Sequence, residues 1–268
     1  MSDFIETIGL VLAERDATIK AQMARQLARN YQQPLPTCTC WAPRERGLEA
    51  GRPQEPKLVP PSQVPQRKLG TTEGRAALIH AISHIEFNAI NLALDAAYRF
   101  VGLPSEYYAD WVRIAGEEAL HFSLLSTHLN ELGFAYGDFD AHNGLWQMAL
   151  DTAHDPLVRM ALVPRVLEAR GLDVTPDITR RLEGVGDHEA VRILGIIARD
   201  EVTHVEAGSR WFNYLCAQRG YQPESCFQWI VRRYMKQLPK GPFYRAARLA
   251  AGFSEDELNW LETGAKHA

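Results

Sequence analysis

Apolar residues recur at every third or fourth position through most of the chain, which is the period of a helix that buries one face. This pattern predicts helices over 3–30, 73–101, 105–132, 187–219 and 223–237. Two shorter helical segments are predicted over 144–171, where Pro156 and Pro164 break or kink the chain. Alternating β-branched runs, which are typical of strands, are almost absent. The sequence therefore predicts an all-α fold built on a helical bundle.

Local signals predict where some helices end or begin. Gly133 and Gly220 follow the last periodic residues of two long helices, as C-terminal caps do. The stretch SEDE at 254–257 has the spacing of a capping box and predicts a last short helix.

The segment 31–70 breaks the helical pattern because it holds eight of the 15 prolines. Two interpretations remain open: an extended arm on the surface, anchored by Trp41 and Leu58-Val59, or a disordered linker. The expected domains are an N-terminal helix (1–30), a Pro-rich arm (31–70), the bundle (71–220) and a C-terminal helical extension (221–268).

Composition excludes some classes of protein. The 268 residues are 46% hydrophobic, enough for a sizeable core, and the net charge of −4 gives no general basic surface for nucleic acid. No apolar run reaches about 18 residues, so no membrane span is expected. The four cysteines, Cys38, Cys40, Cys216 and Cys226, suit a reducing cytoplasm. A metal or redox role for Cys38 and Cys40 is not favoured, because a zinc site needs a second ligand pair.

The helix predicted over 187–219 carries a carboxylate and an imidazole in the middle of its apolar face. That face consists of Leu194, Ile197, Ala198, Glu201, His204, Val205, Gly208, Phe212 and Leu215. Burying an unpaired carboxylate costs several kcal/mol, so something must compensate for Glu201.

The helix predicted over 105–132 repeats this feature with Glu118 and His121. Both pairs have the spacing E-x-x-H, which puts the two side chains one turn apart on one face, where both can reach one metal ion. The motif alone is weak, and its place in the middle of two long apolar faces makes it informative. The helical register allows either Glu117 or Glu118 to be the metal ligand, and the parallel with Glu201 favours Glu118.

Two further glutamates complete a repeated pattern. Glu86 lies centrally on the apolar face of the helix over 73–101, and Glu168 lies in ALVPRVLEARGLD. Glu86 precedes Glu118 by 32 residues, and Glu168 precedes Glu201 by 33. A second interpretation gives Glu168 a salt bridge with Arg165 or Arg170.

The predicted ligand set consists of four glutamates and two histidines that face inward from four helices: Glu86, Glu118, His121, Glu168, Glu201 and His204. This is the set that holds a carboxylate-bridged pair of metal ions. Two divalent cations would neutralise the four carboxylates, with Fe/Fe expected and Mn/Fe or Mn/Mn as alternatives.

Other polar residues near these helices receive other interpretations. Glu117 and Asp200 are predicted to orient the ligand histidines through the far ring nitrogen, or else to be solvated or paired with Arg113 and Arg199. Histidines off this face are not expected to bind the metals: His80 and His84 have a structural or loop-contact role, and His128 is too far from His121.

On these residues the chain resembles the ferritin-like superfamily and, more closely, a bacterial family described as domain of unknown function 455. The stretches that carry the resemblance, within about 75–253, are HAISHIEFNAINLALDAAYRF, WVRIAGEEALHFSLL, AHNGLW, ALVPRVLEARGLDVTP, RDEVTHVEAGSRWF and ARLAAGF. The resemblance implies a four-helix dimetal bundle with N- and C-terminal additions, and the six ligands match the superfamily pattern. It implies no settled activity, since the superfamily includes a diiron tRNA-adenosine hydroxylase, ferritins, rubrerythrins and ribonucleotide reductase small subunits.

The leading functional hypothesis is a non-haem diiron oxidase or oxygenase that uses O₂ on a small-molecule or modified-nucleoside substrate, with an electron-donor protein and a homo-oligomer as candidate partners. One alternative is a ferroxidase or metal-handling protein. The other is a tRNA-modifying hydroxylase, for which the basic stretch 231–250 offers a surface, although a solvated helix face explains that stretch more simply.

Overall fold

The structure is a computed structural model that describes residues 2–31, 49–64 and 68–264. The helices in chain order are α1 (Ser2–Ala13), α2 (Ala17–Asn30), α3 (Thr72–Arg99), α4 (Ser105–Glu131), α5 (Gly144–Asp151), α6 (Pro156–Leu162), α7 (Ala169–Gly184), α8 (His188–Arg219), α9 (Pro223–Tyr234), α10 (Arg245–Ala250) and α11 (Glu255–Gly264). A π-helical segment, Val163–Glu168, lies between α6 and α7. Within the described ranges there is no β-strand, and Leu58 and Ala141 form an isolated bridge. The predicted all-α helical-bundle fold is confirmed.

The predicted helix ends are confirmed where local chemistry sets them. Gly133 (φ +86°) and Gly220 (φ +71°) adopt the left-handed conformation just after α4 and α8. At the start of α11, the Glu257 N–H donates to Ser254 Oγ (3.1 Å) and the Ser254 N–H donates to Glu257 Oε2 (2.9 Å). These two reciprocal bonds form the capping box expected at 254–257.

The single helix predicted over 3–30 is wrong, because the chain forms two helices with a break at 14–16. Glu14 Oε1 accepts hydrogen bonds from the Arg15 and Asp16 N–H groups (2.7 and 2.8 Å), and Asp16 Oδ1 accepts from the Ile19 N–H (2.9 Å). These carboxylates take over backbone donors that a continuous helix would need, so the second helix starts afresh.

The helical segment predicted to end near 171 continues as α7 to Gly184 and passes through Pro176. A proline inside a helix costs about 3 kcal/mol. Leu172 and Leu182 are buried on this helix, and burial of such side chains contributes a comparable stabilisation. The sequence analysis ended the helical segment near 171 and so missed most of α7.

Packing divides the chain into two compact units, residues 1–147 with 181–193, and residues 148–180 with 194–268. In the first unit α3 and α4 make the most extensive helix pair, α2 packs on α4, and α1 packs on α3. In the second unit α6 packs on the π-helical segment and on α9, and α9 packs on α11.

The described part of the Pro-rich segment, 49–64, runs along the first unit and is bonded to it through its backbone. The Gly51 N–H donates to Leu12 O (2.8 Å), and the Val59 N–H donates to Ala141 O (2.8 Å). These contacts agree with the arm interpretation for 49–64. Trp41, Cys38 and Cys40 lie outside the described residues.

Helix α3 has the length and composition of a membrane span, with a mean hydropathy of 1.2 over its most apolar window. However, 72% of that window is buried inside the protein. Such burial is typical of a core helix in a soluble protein.

Buried arginines hold the C-terminal helices of the second unit. The Arg165 guanidinium lies 4.7, 4.5 and 4.5 Å from the ring centroids of Phe212, Phe227 and Phe253, and its Nη2 donates to Glu257 Oε2 (2.7 Å). Each of these cation–π contacts is favourable in a desolvated site. The fully buried guanidinium therefore connects the π-helical segment to α8, α9 and the start of α11.

Lys20 is completely buried in the first unit and donates to three oxygens: Leu12 O (3.0 Å), Gly51 O (2.5 Å) and Asn91 Oδ1 (2.5 Å). Burial lowers its pKa to about 7, against a smaller raising effect of Glu14. The ammonium thus bonds α2 to α1, to the arm and to α3.

We expect Lys20→Met to lower the free energy of unfolding by about 2–4 kcal/mol, because two buried acceptors and one partly buried acceptor lose their donor. Urea denaturation followed by circular dichroism measures this loss. The control Lys57→Met alters an exposed side chain in the arm and should leave the unfolding midpoint unchanged. Equal midpoints for Lys20→Met and the wild type would show that this triple contact contributes nothing to stability.

Candidate metal centre

The turn between α3 and α4 brings Glu86 together with Glu118 and His121. The two helices are joined by the short connection 100–104, so they run antiparallel. Glu86 and Glu118 each lie sixteen residues from Gly102, in the middle of that connection. Equal distances from the turn place the two glutamates at the same level of the helix pair.

Glu86, Glu118 and His121 form a compact, buried cluster in the first unit. Their exposed fractions are 3%, 1% and 0%. The His121 Nδ1–H donates to Glu86 Oε2 (3.1 Å) and lies 3.3 Å from Glu118 Oε2. Each residue offers one ligand atom, and these atoms lie within 4.8 Å of one another. Glu118, rather than Glu117, belongs to this buried cluster, which favours Glu118 as the predicted ligand.

The pKa values of Glu86 and His121 are shifted because two acids are buried beside one imidazole. Burial and the nearby Glu118 charge raise the pKa of Glu86 to about 8, although its hydrogen bond with His121 acts in the opposite direction. Burial alone would lower the pKa of His121, but hydrogen bonds and charge from Glu118 and Glu86 outweigh it and raise this pKa to about 12. Without a metal, a protonated imidazole therefore neutralises part of the acidic cluster.

The second E-x-x-H motif has a similar arrangement in the second unit. His204 is fully buried on α8, and its Nδ1 lies 3.9 Å from Glu201 Oε1, whose side chain is 12% exposed. In both motifs Nδ1 is the ring nitrogen that lies near the glutamate one helical turn earlier.

The π-helical segment approaches α8 very closely at Pro164. A Cβ placed on Gly208 would lie 2.4 Å from the Pro164 ring carbons, so only glycine fits there. One residue further along both elements, Arg165 Nε donates to Ser209 Oγ (3.1 Å). These contacts fix which turns of the two elements face each other.

Glu168 and His204 both lie near this contact along the chain. Glu168 is four residues after Pro164, and His204 is four residues before Gly208, which is about one helical turn in each case. Glu168 is the last residue of the π-helical segment. Such segments insert an extra residue and redirect side chains, often at functional sites. The sequence analysis missed this segment, although Pro164 was the signal.

Arg165 and Arg170, the two candidate salt-bridge partners of Glu168, bond to other groups. Arg165 donates to Glu257, and Arg170 Nη1 donates to Lys240 O (3.0 Å) and lies 3.5 Å from Asp173. The role of Glu168 as a metal ligand stays a prediction.

Glu117 and Asp200 are each paired with a neighbouring arginine. Arg113 Nη1 donates to Glu117 Oε2 (2.5 Å), and Arg199 Nε donates to Asp200 Oδ1 (2.8 Å). These pairs match the alternative interpretation. The role of holding a ligand histidine stays a prediction for both residues.

The structural interpretation of His80 and His84 is confirmed. His80 Nε2 accepts from the Gly137 N–H (3.0 Å), and His84 Nδ1 accepts from the Tyr136 hydroxyl (2.9 Å). Burial lowers the pKa of both histidines to about 4, so both are neutral at pH 7. They attach the loop after α4 to α3.

His128 also bonds away from the metal centre, as expected. Its Nε2 lies 2.9 Å from Asp187 Oδ1, and its Nδ1 lies 3.2 Å from Glu131 Oε2. Both ring nitrogens are therefore engaged at the far end of α4.

A family model matches residues 13–259, so the chain belongs to the family described as protein of unknown function (DUF455). The chain is 50% identical over 219 residues to an uncharacterized protein of Haemophilus influenzae, a match that covers 79% of this chain and 76% of that protein. No solved structure matches the chain. The resemblance to this family is thus confirmed, whereas membership of the ferritin-like superfamily stays a prediction.

We expect divalent metal binding to release protons, because His121 must lose its proton to become a ligand and Glu86 is protonated below pH 8. Apparent affinity for Mn(II) should therefore rise with pH, by about tenfold per pH unit for each proton released. Calorimetric titration at pH 6.5 to 8.5, in buffers of different ionisation enthalpy, measures the proton count. An affinity independent of pH would remove His121 from the ligand set.

Proposed function

We propose that this member of the DUF455 family binds two divalent metal ions and uses them, with O₂, to oxidise an organic substrate. The observation that carries the proposal is the buried cluster of Glu86, Glu118 and His121, whose ligand atoms lie within 4.8 Å. A helix pair gains no stability from two adjacent buried acids, since each loses several kcal/mol of hydration. A bound cation offsets that loss.

The chemistry of the cluster fits a transition metal. Carboxylate together with imidazole suits Fe, Mn or Zn, whereas Mg and Ca favour oxygen ligands alone. His121 would bind through Nδ1, because that nitrogen faces Glu86 and Glu118. Fe/Fe is the proposed pair, and Mn/Fe and Mn/Mn are the alternatives.

We propose a second metal ion because the sequence repeats this arrangement of glutamates and histidine. Glu168, Glu201 and His204 repeat the order glutamate, then E-x-x-H, on a second antiparallel helix pair. We propose that Glu168, Glu201 and His204 hold the second metal ion, as the resemblance to four-helix dimetal proteins implies.

The chain itself would bind, orient and shield the metals. Redox-active metals would supply the electrons that reduce O₂. In the first unit the residues around the ligands are apolar and buried, including Ile90, Ala115, Phe122 and Leu125. Such surroundings exclude water, which strengthens the interactions between charged groups inside the site.

These apolar surroundings favour a catalytic metal centre over an iron-storage protein. A mineral core needs acidic walls and a hollow shell of many copies. The faces of α3 and α4 beside Glu86 and Glu118 offer neither, so iron storage or general metal handling is the less favoured function.

The tRNA-modifying alternative loses part of its support. In the basic stretch 231–250, Arg248 donates to the buried Asp173 (2.8 Å), and Arg245 pairs with Glu255 and with Glu262 (2.9 Å). These two cations are therefore neutralised within the protein. A small organic substrate is the proposed class, with an electron-donor protein and self-association as further proposals.

We expect aerobic addition of excess Fe(II) to oxidise about two irons per chain rapidly and then slow down, because the six ligands hold two ions. Stopped-flow absorbance and elemental analysis after desalting measure rate and stoichiometry. Rapid uptake of tens of irons per chain into a soluble complex would instead support storage.

We expect Glu118→Gln to weaken Mn(II) binding by about a hundredfold or more, since it removes a ligand and a charge. Its matched control, Glu131→Gln, changes an exposed glutamate on the same helix and should leave affinity unchanged. Glu117→Gln separates its two interpretations: about a 10–100-fold loss if it orients a ligand histidine, and no change if it is only a solvated partner of Arg113. Wild-type affinity in Glu118→Gln would contradict the proposed centre.

A further inference from the structure

The described cysteines, Cys216 and Cys226, lie opposite each other across the α8–α9 turn of the second unit. Each is five residues from Tyr221, between the end of α8 at Arg219 and the start of α9 at Pro223. The Tyr221 N–H donates back to Cys216 O (2.9 Å) and closes the turn. This helix hairpin therefore sets the two thiols side by side.

The two thiols are in contact but not joined. Both cysteines are free, Cys216 fully buried and Cys226 partly exposed. The Cys216 Sγ–H donates a hydrogen bond to Cys226 Sγ. This hydrogen bond sets the two sulfurs next to each other, which is the arrangement that thiol–disulfide chemistry needs.

Their surroundings give the two sulfurs different chemistry. The hydrogen bond from Cys216 lowers the pKa of Cys226, with help from Arg219, while burial and Asp155 oppose this effect. The same hydrogen bond and burial raise the pKa of Cys216. Cys226 also lies in the first turn of α9, where the helix dipole favours an anion. These opposite shifts favour the partly exposed Cys226 as the nucleophile and the buried Cys216 as the thiol that keeps its proton.

We propose that Cys226 and Cys216 form a peroxide-reactive thiol pair, with Cys226 as the attacking and Cys216 as the resolving cysteine. The Cys226 thiolate attacks one oxygen of hydrogen peroxide, the O–O bond breaks, and the second oxygen leaves as hydroxide. Cys226 becomes a sulfenic acid. Cys216 then attacks that sulfur, the disulfide forms, and the hydroxyl group leaves with a proton as water. In total two thiols are oxidised to one disulfide and one peroxide is reduced to two waters.

This pair is separate from the proposed metal centre. Cys216 lies twelve residues beyond His204 on α8, which is about 18 Å along the helix axis. The thiol reaction needs no metal, so its test does not depend on the proposed function.

The experiment uses the full chain with Cys38→Ser and Cys40→Ser, so that only the pair remains. The reduced protein is treated with a small excess of hydrogen peroxide, and intact mass and peptide maps are recorded over time. We expect a loss of two hydrogens, one cross-linked peptide pair containing Cys216 and Cys226, and reversal by dithiothreitol.

Single variants assign the roles of the two sulfurs, with circular dichroism to check folding. Cys216→Ser should trap oxygen on Cys226, as a sulfenic or sulfinic acid. Cys226→Ser should slow oxidation of Cys216 by about tenfold or more, because a buried protonated thiol reacts poorly. Oxygen added independently to both cysteines without a cross-link, or two thiols that remain alkylatable after peroxide treatment, would overturn the proposal.

Discussion

The burial of Glu86, Glu118 and His121 between two apolar helices is the constraint on which the arrangement of the first unit depends. Each carboxylate loses its hydration there, and two acids at hydrogen-bond distance from one imidazole repel each other. Without a metal, the raised pKa of His121 keeps a positive charge between the two acids and limits this repulsion. A bound cation would offset the free energy that the folded chain loses by burying these two carboxylates together.

Other buried charges in the described residues have protein partners of their own. Lys20 has three oxygens, Arg165 has Glu257 and three aromatic rings, and Arg248 has Asp173. Each of these groups joins elements that are distant in sequence, so their role is architectural. The cluster around His121 differs because two acids share a single imidazole.

Close packing also sets the positions of the helices in the second unit. Gly208 lets α8 approach Pro164 at the start of the π-helical segment, which ends at Glu168. A bulkier residue at 208 would force these two elements apart. Near the C-terminal end of α8, a tight turn folds α9 back on α8 and brings the two thiols together.

The sequence by itself determined the all-α fold, most helix limits, and the polar residues on the apolar faces of α3, α4 and α8. These features are local: helical period, capping residues and turn glycines act within a few residues. The sequence did not reveal the break at Asp16, the continuation of α7 through Pro176, or the π-helical segment, because side-chain bonds and packing override propensity there. Only the tertiary structure decided that His121 bonds to Glu86, that Arg165 bonds to Glu257, and that the Cys216 and Cys226 thiols form a hydrogen bond. Contacts between residues distant in sequence depend on how whole helices pack, and helical periodicity does not predict which helix faces pack together.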